Sequence, residues 1–93
     1  MFTDNVLLVQ VREFLRLCQE KGRPGDALAT AWGDFYLIED ARLRGFATAA
    51  KLREDRRDDV IQQVWQEIVK KLDGFQGDRA VEQLHCWMHK VVR

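Results

Sequence analysis

The sequence predicts an all-α fold, a compact bundle of about four helices, and three observations carry that prediction. Apolar residues recur at helical spacing in four separate stretches. No segment alternates with period two for long enough to make a strand, and only one proline interrupts the chain. The chain of 93 residues reads as a single helical domain over 1–93. A chain of this size buries roughly 60–65% of the surface its unfolded form exposes, too little to divide between two cores.

Helix one spans 4–21. Thr3 or Asp4 can cap its first amides, and Val6, Leu7, Val11, Phe14, Leu15 and Cys18 follow helical spacing. Gly22-Arg23-Pro24-Gly25 stops it, with glycine taking the left-handed cap and proline unable to continue the ladder. Asp26 then caps helix two, whose apolar face runs Leu28, Trp32, Phe35, Tyr36, Leu43, Phe46, Ala47 and Ala50. Gly33 and Gly45 inside it each cost on the order of 1 kcal/mol against alanine, so a kink or a close helix approach is expected near one of them. Lys51 to Arg57 forms a charged connection, and Asp55 or Asp58 caps helix three. The motif-bearing helices occupy 56–93.

Helix three has the clearest pattern in the chain. Val60, Ile61, Val64, Trp65, Ile68, Val69 and Leu72 make one apolar stripe. Gly74-Phe75-Gln76-Gly77-Asp78 is a loop, and helix four carries Ala80, Val81, Leu84, Trp87, Met88, Val91 and Val92. Helix four meets no glycine, proline or polar stop before Val92-Arg93, so the sequence reads as continuing beyond it.

Fifteen basic and fifteen acidic side chains cancel, which gives no net basic footprint of the kind a stand-alone nucleic-acid binder carries. No run approaches the roughly 20 apolar residues that span a bilayer, and the start lacks the features of a signal peptide. Cys18 and Cys86 sit on predicted apolar faces, which points to buried, reduced thiols and a cytoplasmic location. The chain contains no serine, no Gly-x-Ser-x-Gly and no phosphate-cradling glycine loop. No catalytic residue and no cofactor is therefore assigned, and the chain is not expected to be an enzyme. His85 and His89 share a helix face, but no metal-binding spacing surrounds them, so they are expected on the surface or facing DNA and no metal is assigned.

The polar side of helix three is where function becomes legible. Opposite the apolar stripe lie Asp59, Gln62, Gln63 and Gln66, and glutamines offer donors and acceptors without committing to a charge. Arg57-Asp58-Asp59-Val60-Ile61-Gln62-Gln63-Val64-Trp65 resembles the region-two motif of bacterial extracytoplasmic-function sigma factors: an acidic pair, two aliphatics, Gln-Glu, an aliphatic and an aromatic. Leu72-Asp73-Gly74-Phe75-Gln76-Gly77-Asp78 is similar to the family's segment ending in Phe-Arg-Gly-Asp. Trp87-Met88-His89-Lys90-Val91-Val92-Arg93 is similar to its Trp-Leu-x-x-Ile-Ala-Arg helix. The matches cover residues 55–93. The chain departs in carrying Gln63 for the family's Glu, in a longer Phe75-to-Trp87 interval, in Arg79-Ala80-Val81-Glu82-Gln83 within that interval, and in a longer helix one.

The resemblance implies a sigma region-two fold and two surfaces. Asp59, Gln62 and Gln63, with Gln66 and Val69 at the margin, would meet the clamp helices of the beta-prime subunit of core RNA polymerase. Phe75, Gln76, Asp78 and Arg79 would belong to the loop that captures a flipped base of the promoter minus-ten element, and His89, Lys90 and Arg93 would face the DNA. Trp87 reads either as a wedge into DNA or as core packing. The resemblance also makes an anti-sigma factor a candidate partner. A second reading keeps the protein contact and drops the DNA: a sigma-like helical interaction domain, favoured by the altered loop and the zero net charge.

Overall fold

The structure is a computed structural model that describes residues 4–92. It consists of α1 (Asn5–Gln19), α2 (Asp26–Ala49), α3 (Glu54–Lys71), a 3₁₀ turn (Leu72–Gly74) and α4 (Ala80–Val92), with no strand among the described residues. The all-α bundle of about four helices is therefore the observed architecture. Thr3 and Arg93, one named as a cap and the other as a DNA contact, lie outside the described residues. Also among the described residues, no helix is long and apolar enough to cross a membrane.

Asp4 is the cap of α1, its side chain accepting from the Leu7 amide at 2.7 Å. The other predicted starts shift. Gly25 occupies the cap of α2, which leaves Asp26 inside the first turn, where its charge complements the helix dipole without capping. α3 begins at Glu54, so the connection is shorter than predicted and neither Asp55 nor Asp58 caps it. Glu54 and Asp55 in that first turn favour the earlier start by the same dipole argument.

Both α1 and α2 end in a Schellman turn, and in both the left-handed residue is a lysine where glycine is usual. Lys21 has φ 60° and Lys51 has φ 61°. Gly22 N–H donates to the Leu17 carbonyl at 2.8 Å, and Leu52 N–H to the Ala47 carbonyl at 3.1 Å. The expectation that glycine would take this conformation after helix one is thus corrected by one residue. Leu52 then folds its side chain onto the core. α2 runs unbroken through Gly33 and Gly45. No heavy atom lies within 4 Å of where a β-carbon would sit at either, so neither marks a close helix approach.

α2 packs against all three other helices. The core joins Leu8 and Val11 of α1, Phe35, Leu43 and Ala47 of α2, Ile61, Val64, Trp65 and Ile68 of α3, then Leu72, and finally Ala80, Leu84, Met88 and Val92 of α4. The predicted stripe of α3 is the buried one, with Val60 and Val69 at its half-buried edges. The buried thiols are not found: Cys18 and Cys86 are both exposed. Burial on α4 recurs every fourth residue from Ala80 to Val92, so Cys86, two residues from Leu84 and from Met88, points the opposite way. Cys18 lies in the last turn of α1, beyond the buried Leu8 and Val11.

Candidate functional site

The rotation of α3 about its axis decides which residues it presents, and its buried stripe of Ile61, Val64, Trp65 and Ile68 fixes that rotation. Trp65, only 8% exposed, donates its ring N–H to Asp40 Oδ1 of α2 at 3.1 Å. Its ring stacks on Tyr36 at 4.6 Å and meets Trp32 and Phe35 edge-on. The other carboxylate oxygen of Asp40 accepts from Arg44 Nε at 2.9 Å, and Arg44 Nη1 reaches across to Asp58 Oδ1 at 3.0 Å. Asp58 and Trp65 therefore lie on one face of α3, two turns apart, both held to α2. The hydrogen bonds that Arg44 donates to Asp40 and Asp58 raise the pKa of its guanidinium, keeping it charged.

With the buried stripe turned inward, Asp59, Gln62, Gln63 and Gln66 all point outward and all are exposed. Asp59 takes part in no ion pair among the described residues, whereas its neighbour Asp58 is committed to Arg44. Both carboxylates of the acidic pair are exposed, and Asp58 is the one paired with α2. Val69 is half-buried at the edge of the face. On the other flank a groove of about 280 Å³ opens between α3 and the end of α4, with Val60, Val64 and Val91 as its apolar lining and Gln63, Gln66 and Glu67 completing it. Of the five residues named for the protein contact, Asp59, Gln62, Gln63 and Gln66 are exposed on α3, and Gln63 and Gln66 border the apolar slot.

The residues named for DNA are not brought together in the same way. Phe75 and Trp87 pack with ring centroids 6.1 Å apart, and Lys71 Nζ sits 5.5 Å from the centre of the Trp87 ring. Both rings are half-buried, each packed on one side against the core. Gln76 folds back, donating to the Asp73 carbonyl at 2.7 Å. Asp78 is exposed, and its carbonyl accepts from Asn5 Nδ2 at 3.0 Å. Arg79 is exposed and lies 3.5 Å from Glu82. His89 stands on the other side of α4, edge-on to Phe46 of α2 at 5.1 Å. Positions 87 and 89 differ by about 200° around a helix, so His89 and the Phe75–Trp87 corner cannot share one ligand face. Lys90 is exposed.

His85 departs from expectation. It is turned inward, with Nε2 at 3.0 Å from Glu39 Oε1, and Glu39 is fully buried within α2. Arg42 Nε lies 3.3 Å from Glu39 Oε2. Pairing lets a carboxylate survive at a position where burial otherwise costs several kcal/mol. Sequence reasoning missed Glu39, yet a signal existed: it falls four residues after Phe35 and four before Leu43, on the apolar stripe itself. No group of three histidine, cysteine or acidic side chains could hold a metal among the described residues.

No family model, no curated protein and no solved structure matches this chain.

Proposed function

We propose that this chain is a sigma region-two-like binding module, not an enzyme, whose α3 polar face docks on the clamp helices of core RNA polymerase. The observation that carries this is the coincidence of motif and geometry: the residues that resemble the family's contact set are the ones α3 turns outward. Asp59 supplies a carboxylate for charge-assisted hydrogen bonds to basic side chains of a coiled coil. Gln62, Gln63 and Gln66 supply neutral donors and acceptors, which favour specificity and correct register over raw affinity. The slot lined by Val60, Val64 and Val91 offers apolar area beside them.

On this reading the Phe75–Trp87 corner, with Lys71 over it, is the part that meets an extruded base of the minus-ten element. Unpairing a base costs a few kcal/mol, and stacking on an aromatic ring returns about 1–3 kcal/mol. The second reading, a protein-interaction domain that reads no DNA, is favoured by one observation: His89 stands apart from that corner. Capture by the beta-prime clamp helices tests the protein contact. Asp59→Ala and Gln62→Ala are each expected to weaken it by about tenfold, as lost hydrogen bonds at an interface do. Unchanged capture of both variants would sink the mapped face. Binding to a single-stranded minus-ten oligonucleotide, lost on Lys71→Ala and Phe75→Ala, separates the two readings.

A further inference from the structure

The extra length of α1 has a place in the molecule. Asn5 and Arg12 are seven residues apart, so they share one face of α1, separated by about 10 Å along its axis. Each donates to a backbone carbonyl of the loop before α4: Asn5 Nδ2 to Asp78 at 3.0 Å, and Arg12 Nη1 to Phe75. The two acceptors, Phe75 and Asp78, lie at the two ends of one short stretch, so α1 holds that stretch at both ends. That face flanks the buried seam of Leu8 and Val11, so packing of α1 brings both donors to the loop without further ordering.

Phe75 is the point of leverage. Its N–H donates to the Leu72 carbonyl at 3.1 Å and its carbonyl accepts from Arg12. With both backbone groups held, its ring is directed toward Trp87. Beyond Phe75, Gly77 at φ 88° permits the turn, which the Ala80 N–H closes on the Gly77 carbonyl at 3.2 Å. Arg12 is half-buried and spends a charged donor on a carbonyl, an arrangement stronger than a neutral hydrogen bond.

We infer that Arg12 and Asn5 make α1 a positioning element that holds the loop from Phe75 to Asp78 in the form that receives a base. This rests on the reading of the Phe75–Trp87 corner given above. The two residues touch no nucleic acid themselves. They act by removing, before binding, the disorder that binding would otherwise have to overcome.

Hydrogen exchange across the full chain, paired with oligonucleotide binding, tests it. Arg12→Met is expected to speed amide exchange at Gln76–Arg79 by about tenfold, the loss of one charged hydrogen bond, and to weaken single-stranded minus-ten binding by a similar factor. Arg12→Lys should restore part of both, and Asn5→Ala should show a smaller change in the same amides. Capture by the clamp helices should stay unchanged in all three, because α3 is held by α2; a general loss of structure would lower it. Unchanged loop exchange in Arg12→Met and Asn5→Ala overturns the latch. Faster exchange with unchanged oligonucleotide binding overturns the positioning role. A native chain that binds no oligonucleotide sinks the DNA reading, and loop exchange alone then decides the latch. If Arg12→Met does not fold, Asn5→Ala carries the same test, since Asn5 is exposed.

Discussion

Replacing His85 by alanine would strip a partner from a carboxylate that water cannot reach. Glu39 is 0% exposed, His85 retains 21% of its side-chain surface, and 3.0 Å separates Nε2 from Oε1. Two limits bracket the effect. Removing one member of a fully buried ion pair costs about 3–5 kcal/mol, and losing an ordinary hydrogen bond costs about 0.5–1.5 kcal/mol. His85 sits near the surface, so its removal admits some water. Arg42 stays beside the second oxygen at 3.3 Å with 27% of its side chain exposed, which keeps part of the compensation. Together these place His85→Ala at about 2–3 kcal/mol, a large share of the roughly 5–14 kcal/mol that a chain of this length is stable by. Urea unfolding followed by helical circular dichroism at neutral pH measures it. Glu39→Gln removes the charge and keeps the shape, so the double variant should cost less than the sum of the singles by about 1–2 kcal/mol. A His85→Ala chain within about 0.5 kcal/mol of the native one, or strict additivity in the cycle, would refute the assignment of this pair as a structural link between α2 and α4.

Trp65→Phe keeps most of the ring but deletes the N–H that Asp40 accepts; a loss of about 1–2 kcal/mol is expected in the same unfolding assay, against about 3–5 kcal/mol for Trp65→Ala. Because Trp65 belongs to the buried stripe that sets the rotation of α3, Trp65→Ala should also weaken clamp-helix capture even under conditions where the chain stays folded. Lys51→Gly should raise stability by up to about 1 kcal/mol, since glycine adopts φ 61° without the β-carbon clash that lysine bears. The hydrogen bond from Arg16, helped by its charge, holds the Glu13 carboxyl below the ordinary glutamate range. A depressed carboxyl adds stability above its unfolded value and loses it as pH falls through the folded one. Amide exchange in α1 should therefore accelerate on acidification through that window, only slightly because the pair is solvated, and Glu13→Gln should remove the acceleration.

Much of the architecture follows from periodicity. The apolar stripe of α3 and its outward polar face were legible because 3.6-residue spacing alone sorts Ile61, Val64, Trp65 and Ile68 from Asp59, Gln62, Gln63 and Gln66. The starts of α2 and α3 were less legible, since an acidic residue near a helix start, Asp26 in α2 or any of Glu54, Asp55 and Asp58 in α3, can either cap or simply favour the dipole. Cys18 and Cys86 were misplaced for a related reason. An apolar neighbour in sequence says little about burial when the buried face of α4 is one residue wide per turn.

What the sequence determined by itself was local: four helices, and the buried stripe and polar face of α3. These depend on residue type and spacing within a few turns. On α1, by contrast, the expected stripe held Val6, which is 69% exposed, and passed over the fully buried Leu8. The tertiary structure decided what meets across long separations, because no periodicity encodes it. It paired Glu39 with His85, hung Asp58 and Trp65 from α2 through Arg44 and Asp40, and laid the loop after the 3₁₀ turn along α1. It also separated His89 from Trp87, which adjacency in the chain had grouped, because a helix turns about 100° with each residue.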